Sequence, residues 1–177
     1  MSQASSSVAW NLILYARCAT FLIPWLVHLL VADISLSALL PVSSAFPNLA
    51  YNLSSGIAES VWRGIQFIFT RINRANIVVS GDELPHGESA IVVSNHVEWT
   101  DFYMIQALAI KARMLGRCRW FAKQQLKWVP FLGWGLWAMG MPLVSRKWMV
   151  DKREMDRVFH GVIKRKWPLC ASHMSLT

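Results

Sequence analysis

The first 58 residues constrain the fold most, because they are almost free of charge. Through Ala58 only Arg17 and Asp33 carry a formal charge, so all but one of the 18 lysines and arginines lie beyond that point. The stretch from Val8 to Ala32 is predominantly apolar, and about 20 apolar residues suffice to cross a bilayer as a helix. We therefore predict that residues 1–56 form a helical, membrane-embedded region rather than part of a soluble core.

Two residues leave the arrangement of this region open. An arginine near the middle of a bilayer, as Arg17 would be, costs about 2.5–3.5 kcal/mol, and Pro24 would kink a helix. A tilted span and a re-entrant pair of half-helices at the membrane interface both fit. The next apolar stretch, Ile34 to Leu53, is interrupted by Pro41 and Pro47, which favours a loop or a partial membrane pass.

Composition narrows the classes of function. Hydrophobic residues make up 54% of the chain and charged residues 16%, whereas roughly 25% of an ordinary soluble protein is charged. This excludes a disordered tail, a coiled coil and a polar nucleic-acid-binding arm, so we expect no nucleic-acid partner. The net charge of +8 and the ten tryptophans instead indicate a membrane surface and anionic substrates. The three cysteines form no CxxC pair, so no disulfide framework or zinc site is predicted.

Helices and strands alternate after residue 56. Apolar residues recur at helical spacing from Ile57 to Ile72, which predicts an amphipathic connecting helix within residues 57–75. Beyond it, short apolar runs predict four strands, separated by helices. The strands are expected at 77–79, 91–93 (buried on both faces), 119–122 and 141–144, and the helices at 100–110 and 151–167, the second of which buries Met155, Val158, Phe159 and Val162. This alternation predicts an α/β domain over residues 76–170, with a mixed sheet flanked by helices.

Ser94 to Asp101 is the segment best suited to chemistry, because it follows a predicted strand and opens a helix. His96 and Asp101 are five residues apart, roughly 140° apart on one continuous helix. If His96 lies in the loop before the helix, the Asp101 carboxylate can accept the Nδ1 proton and leave Nε2 as an outward-facing base. No evident nucleophile is present, so proton abstraction from a substrate hydroxyl is favoured over a covalent intermediate. The alternative is a structural histidine; no metal site is predicted, since no second histidine follows at helical spacing.

Several motifs follow one another in a consistent order between residues 77 and 167. They are Asn95-His96-x4-Asp101, Ala122–Leu126 with Val129–Trp134, Gly140–Arg146, and Arg146–Trp148 with Asp151–Lys152. In this order they resemble the glycerolipid acyltransferase superfamily, the lysophosphatidic acid or 1-acylglycerol-3-phosphate acyltransferases. The last motif is similar to the eukaryotic subgroup that contains lysocardiolipin and lysophosphatidylinositol acyltransferases.

The resemblance implies transfer of an acyl group from acyl-CoA to the free hydroxyl of a lysophospholipid, in phospholipid synthesis or remodelling. It implies that His96 is the general base and that Asp101 orients the imidazole. Arg146, Lys123 and Asn95 would bind substrate. It further implies membrane lipids as partners, acyl-CoA as a co-substrate with no tightly bound cofactor, and a location in the endoplasmic reticulum membrane.

The charge distribution fits anionic ligands. No acidic residue occurs from Phe102 to Val150, whereas eight basic residues lie there, namely Lys111, Arg113, Arg117, Arg119, Lys123, Lys127, Arg146 and Lys147. Such a segment suits lipid head groups and the phosphates of coenzyme A; the alternatives are a solvated basic face and positive-inside bias. The same segment contains an aromatic, apolar run of Trp128, Phe131, Trp134, Trp137 and Met139. Two explanations fit this run, namely packing in the core and contact with the membrane interface.

The chain departs from the family pattern at its C-terminal end. The third motif of the superfamily, Phe-Pro-Glu-Gly-Thr-Arg or close to it, does not occur, and neither does the fourth. The third motif would supply a strand and part of the acceptor site. We therefore expect a domain whose C-terminal part is missing, ending in an atypical tail, residues 171–177, without a further strand. The alternative function is a catalytically inactive membrane-interaction protein that keeps the lipid-binding face.

Overall fold

The computed structural model describes residues 2–129, 132–145 and 147–176. Within them the chain forms five α-helices and five β-strands. The helices are α1 (Ser2–Ala45), α2 (Pro47–Phe67), α3 (Asp101–Lys111), α4 (Leu132–Ala138) and α5 (Trp148–Arg165). The strands are β1 (Ala90–His96), β2 (Cys118–Trp120), β3 (Ala122–Lys123), β4 (Leu143–Val144) and β5 (Cys170–Leu176). A π-helical turn, Ile68–Ile72, extends α2, and two 3₁₀ turns, Leu115–Arg117 and Gln124–Trp128, precede β2 and follow β3.

The N-terminal region is one long helix. α1 continues through both Pro24 and Pro41, so the loop predicted as one alternative for residues 34–53 was wrong, and the partial membrane pass stays a prediction. Residues Val8–Ala45 are long and apolar enough to cross a membrane. Pro47 opens α2 at a position where its missing N–H is not needed. The chain therefore turns at Phe46 and continues as a second helix.

α1 and α2 form a helical hairpin. The Trp25 indole donates a hydrogen bond to the Val61 carbonyl over 3.0 Å, and the His28 ring lies 2.9 Å from the Ser60 hydroxyl. The Arg17 guanidinium donates to the carbonyl of Ile72, at the end of the π-helical turn. A cation placed there satisfies a carbonyl that the helix end leaves open. The one arginine of the apolar stretch is thereby paired.

The sheets are parallel, which corrects the prediction of a mixed sheet. β5 lies between β1 and β2 and pairs in parallel with both, and β3 pairs in parallel with β4. β5 covers residues 171–176 of the predicted tail, so the expectation of no further strand there was also wrong. A ladder is formed by backbone N–H and C=O groups, and the open position between β1 and β2 accepts a segment whose residue types do not favour a strand.

Several predicted strands have different bounds. Residues 77–79 lie in a segment, 73–89, that contains no helix or strand. The strand at 91–93 is confirmed as part of β1, but Ile91 and Val93 are 80% and 70% exposed, so it is not buried on both faces. The run 119–122 is divided at Phe121 between β2 and β3, and β4 covers only Leu143 and Val144 of the run 141–144.

The core lies between the helical hairpin and the parallel strands. The Trp62 ring of α2 makes edge contacts with the Phe102 and Trp120 rings, at centroid distances of 5.5 and 5.0 Å. Cys118, Leu115 and Met141 are almost fully buried beneath them. The predicted helices at 100–110 and 151–167 are confirmed as α3 and α5; of the apolar face predicted for α5, Val158 is buried and the other three are half-buried. The predicted domain boundaries stay predictions: α2 crosses residue 56.

Candidate functional site

The turn from β1 to α3 places the predicted general base. β1 ends at His96, and Asp101 is the first residue of α3. The Asp101 Oδ2 atom accepts hydrogen bonds from the backbone N–H groups of Val97 and Glu98, over 2.6 and 2.9 Å. This carboxylate therefore fixes the backbone that immediately follows His96. The side chain of His96 lies outside the described part of the chain, so its orientation by Asp101 stays a prediction.

A second turn, from β4 to α5, has a similar construction. The Asp151 Oδ1 atom accepts hydrogen bonds from the Ser145 N–H over 2.7 Å and from the Ser145 hydroxyl over 2.8 Å. Asp151 is only 6% exposed and belongs to the first turn of α5. Arg146, the predicted phosphate-binding residue, follows Ser145 directly but lies outside the described residues. Sequence reasoning missed this role of Asp151, although the five-residue spacing from Arg146 to Asp151 repeats that from His96 to Asp101.

The strand register brings the predicted site residues to one edge of the fold. Ala90, Cys170 and Cys118 are at the same level in β1, β5 and β2. Five residues further along, Asn95 pairs with Ser175 in β5, and Lys123 pairs with Val144 in β4. The strands of each sheet are parallel, and β3 begins two residues after β2 ends. Lys123 therefore lies beyond the carboxyl end of β2, on the side of a parallel sheet where α/β proteins bind ligands, here called the carboxyl edge.

Two of the predicted site residues lie in different sheets. Asn95 is in β1 of the three-stranded sheet, and Lys123 ends β3 of the two-stranded sheet. Both residues are exposed. Ser145 follows Val144, the residue of β4 that pairs with Lys123, and directly precedes Arg146. The topology thus places Asn95, Lys123 and Ser145 at or just beyond the carboxyl ends of their strands.

Apolar side chains are exposed at the same edge. Val97 and Trp99 in the first turn, and Met149 and Val150 after the second, are largely exposed. The Trp99 ring also contacts the ring of Tyr103 at 5.8 Å, and Tyr103 stacks on Phe69 at the end of the helical hairpin. Burial raises the pKa of Tyr103, which keeps the phenol neutral. The carboxyl edge therefore lies next to the end of the hairpin where Arg17 of α1 is anchored.

The predicted aromatic run is partly packed and partly exposed. Met139 is buried in the core, whereas Trp128, Trp134 and Trp137 are exposed; Phe131 lies outside the described residues. The three exposed tryptophans line a cavity of about 800 Å³ between α1, α4 and α5. Core packing therefore accounts for only one of the four described residues.

One of the basic residues is structural. Arg119 is 2% exposed, and its Nη1 atom donates to the carbonyls of Gly116 and Cys118 over 3.1 and 2.9 Å. Burial lowers the pKa of this guanidinium. Its neighbours in the basic segment are at least partly exposed, except for Arg146, which lies outside the described residues. Sequence alone did not separate Arg119 from the exposed basic residues, because its burial depends on α2 covering β2.

The potential metal-ligating side chains of the described residues are spread over the fold. In the described part of the chain, no three His, Cys, Asp or Glu side chains come together as a group that could hold a metal ion. Cys118 and Cys170 are neighbours across β2 and β5, and both are free thiols. The hydrogen bond with the Cys170 side chain and burial together raise the pKa of Cys118.

The family model and the relatives that match the chain agree with one another, since all of them are described as acyltransferases. The family model described as Acyltransferase matches residues 76–171, just over half of the chain. The chain is 38% identical over 70 residues to 1-acyl-sn-glycerol-3-phosphate acyltransferase delta of Mus musculus, covering 40% of this chain and 18% of that protein. It is 25% identical over 111 residues to 1-acyl-sn-glycerol-3-phosphate acyltransferase 3 of Arabidopsis thaliana, covering 60% and 30%.

A third relative acts on a different lipid by name. The chain is 27% identical over 86 residues to lysocardiolipin acyltransferase 1 of Gallus gallus, covering 49% of this chain and 23% of that protein. The match thus spans less than a third of each of these relatives. No solved structure matches the chain. With its site motifs and the family match in the same segment, the chain belongs to the acyltransferase family, within the glycerolipid acyltransferase superfamily.

Proposed function

We propose that this protein transfers an acyl group from acyl-CoA to the free hydroxyl of a lysophospholipid. The observation that carries the proposal is the parallel carboxyl edge, where β1 delivers His96 into a turn that Asp101 holds by two hydrogen bonds. The names of the relatives, which include two 1-acyl-sn-glycerol-3-phosphate acyltransferases and a lysocardiolipin acyltransferase, support an acceptor of this class. Lysophosphatidic acid is the acceptor we expect.

The proposed reaction is a single acyl transfer with His96 as general base. Nε2 of His96 takes the proton of the acceptor hydroxyl as its oxygen attacks the thioester carbonyl. The carbon–sulfur bond then breaks, and the coenzyme A thiolate leaves and recovers the proton from the imidazolium. Asp101 would stabilise the imidazolium through Nδ1, in addition to holding the turn. General-base catalysis of this kind contributes roughly 10²–10⁴-fold in rate.

The phosphate of the acceptor would bind beside the base. Arg146 follows Ser145, and Lys123 lies on the neighbouring strand of the same edge. A guanidinium holds phosphate oxygens in two-point contact, whereas an ammonium acts as a point charge. Asn95, exposed one residue before His96, is placed to contact the glycerol backbone of the acceptor.

The lipid substrate would reach this edge from a membrane that α1 crosses. The apolar residues of α1 that are strongly exposed extend from Val8 to Ile34, and the carboxyl edge lies next to the corresponding end of the hairpin. We propose the endoplasmic reticulum as the membrane. Sedimentation of the protein with microsomes, and its release by detergent but not by high salt, is the expected result.

Transfer of labelled oleate from oleoyl-CoA to lysophosphatidic acid by the purified full chain in detergent tests the reaction. We expect product with the wild type and a loss of at least about a hundredfold with His96→Ala. His160→Ala, which removes an exposed histidine on α5, is the matched control and should leave the rate unchanged. A wild type that forms no product but still binds anionic vesicles would favour the catalytically inactive, lipid-binding alternative.

A further inference from the structure

A long groove, here called the tryptophan groove, begins at the carboxyl edge and lies between α1, α4 and α5. Its volume is about 800 Å³, which is within the range of roughly 300–1,000 Å³ for small-molecule sites. At the end next to the carboxyl edge it is lined by Gln124, which follows Lys123, and by Val150. At the other end it is lined by Leu40 of α1 and Arg157 of α5.

The groove extends away from the exposed apolar part of α1. From Val150 to Arg157 it follows α5 for seven residues, or about 10 Å at 1.5 Å per residue. The α1 residues that line it are Ser37 and Leu40, near the C-terminal end of the apolar part Val8–Ala45. A membrane span of about 20 residues that began at Val8 would end before Ser37 and would leave the groove on the aqueous side.

Its walls combine aromatic faces with cations. Trp134 is 68% exposed, and Trp128 and Trp137 are exposed as well. The Lys127 ammonium lies 4.9 Å from the centroid of the Trp128 ring, and the Arg157 guanidinium lies 5.2 Å from that of Trp137. Exposed indole faces stack on planar heteroaromatic rings, as they do on the bases of single-stranded nucleic acids.

Two of the cations are available to an anion. Arg157 is engaged by Glu154, with which it forms an ion pair of 2.6 Å, and the Asp151 carboxylate holds Ser145. Lys127 and Arg153 also line the groove, and among the described residues neither has a carboxylate within ion-pair distance. Together with Trp134 they offer a stacking face beside two positive charges, a combination that recognises a purine ring carrying phosphates.

We propose that the tryptophan groove binds the 3′-phosphorylated adenine nucleotide of the acyl donor. The adenine stacks on Trp134, and the phosphates bind Lys127 and Arg153. The pantetheine arm then follows the groove to the carboxyl edge, and the acyl chain enters the lipid. This inference rests on the proposed function for the identity of the donor. A flat lipid surface fits less well, because the site is concave and has the Asp151 and Glu154 carboxylates in its wall.

Binding of adenosine 3′,5′-bisphosphate to the full chain in detergent, measured by titration calorimetry, tests the proposal without turnover. We expect Trp134→Ala and the double variant Lys127→Gln/Arg153→Gln each to weaken binding by roughly tenfold or more. Trp10→Ala and Lys152→Gln are matched controls, since Trp10 is an exposed tryptophan on α1 and Lys152 an exposed lysine of α5 outside the groove. Both controls should bind as the wild type does.

Kinetics separate this proposal from the proposed function. The wild type should prefer oleoyl-CoA to its 3′-dephospho analogue, and Lys127→Gln/Arg153→Gln should lose that preference through KM, with little change in kcat. If the chain bound the nucleotide but transferred no acyl group, the assignment of the groove would stand and the proposed function would be refuted. Transfer with an unchanged KM for oleoyl-CoA in both groove variants would overturn the groove assignment. Groove variants that reduce vesicle binding but bind the nucleotide normally would also overturn it and indicate a membrane contact.

Discussion

After β1 the chain enters α3 through an exposed turn, whereas after β4 it enters α5 through a turn that rests on a buried side chain, Asp151. In each case, an aspartate in the first turn of the following helix accepts hydrogen bonds from residues of the connecting turn. Asp101 accepts two backbone N–H groups, and Asp151 accepts one backbone N–H and one hydroxyl. The connection from β4 to α5 is held by one more hydrogen bond, which the Leu143 N–H donates to Glu154 of α5. The first turn presents Val97, Glu98 and Trp99 to the outside.

The difference indicates how the two turns divide stability and activity. Hydrogen bonds in an exposed turn can be replaced by water, so their loss changes geometry more than folding free energy. A buried acceptor cannot be removed without leaving its donors unsatisfied, which destabilises the fold. We therefore expect the Asp101 turn to govern turnover and the Asp151 turn to govern stability together with acceptor binding.

The largest effect is expected from Asp101→Ala. Removing the carboxylate releases the Val97 and Glu98 N–H groups and, under the proposed mechanism, the orientation of the imidazole. The kcat for lysophosphatidic acid acylation should fall by about a hundredfold or more, with a loss of only about 0.5–2 kcal/mol in unfolding free energy. Glu98→Gln, in the same exposed turn, is the control. An Asp101→Ala protein with near-normal kcat would contradict the assignment.

Asp151→Ala should reverse this balance. It leaves the Ser145 N–H and hydroxyl without their acceptor, at a cost of about 1–3 kcal/mol in unfolding free energy measured by denaturant titration in detergent. Because Ser145 precedes Arg146, the KM for the lysophospholipid should rise several-fold while kcat changes less. Asp151→Asn keeps an acceptor oxygen and should recover part of both losses. If Asp151→Ala lowered kcat at constant stability, the division between the turns would be wrong.

Ser145→Ala sharpens the comparison at a smaller scale. It removes the hydroxyl hydrogen bond to Asp151 but keeps the backbone one, so unfolding free energy should fall by about 0.5–1.5 kcal/mol. In the double variant with Asp151→Ala, the two losses should be less than additive, because they remove the same contact. Full additivity in that double-mutant cycle would show that the 2.8 Å contact contributes nothing.

The smallest effect is a pH dependence of the β4–α5 connection. The hydrogen bond from Arg157 holds the pKa of Glu154 below its usual value. The folded-state pKa is thus lower than the unfolded one, so this stabilisation is complete above the unfolded pKa, about 4.3, and is lost as pH falls through the folded pKa. For a partly exposed pair it amounts to about 0.2–1 kcal/mol. Unfolding free energies of the wild type and Glu154→Gln should therefore converge on acidification, and parallel curves would contradict this.

Much of the fold could be predicted from local pattern. The apolar, nearly uncharged N-terminal region predicted a membrane-length helix, and α1 has that length and composition. The alternation of segments predicted α3 and α5, and the short apolar runs predicted β1 and, with altered bounds, β2, β3 and β4. The prolines misled, because Pro41 is accommodated within α1 and Pro47 begins α2 instead of a loop. A proline marks a constraint on the backbone, and only packing decides whether it breaks a helix.

The motif of His96 and Asp101 could be identified from the sequence, but the roles of Asp151 and Arg119 could not. A histidine after a strand and an aspartate at the start of a helix predicted the β1–α3 turn. The role of Asp151 was missed, although its partner Ser145 lies only six residues before it. The burial of Arg119 was missed as well, since it depends on elements far apart in the chain, β2 against α2. The same holds for the tryptophan groove, whose walls come from three helices.

By itself, the sequence determined the helical hairpin's apolar character, the strand–helix alternation and the residues available at the carboxyl edge, because these follow from local composition and periodicity. Tertiary structure alone decided that Cys170–Leu176 becomes the central strand between β1 and β2, and that Lys123 comes to lie beside β4. Strand pairing is chosen by which backbone groups are left to be satisfied in the assembled sheet, and no single segment contains that information.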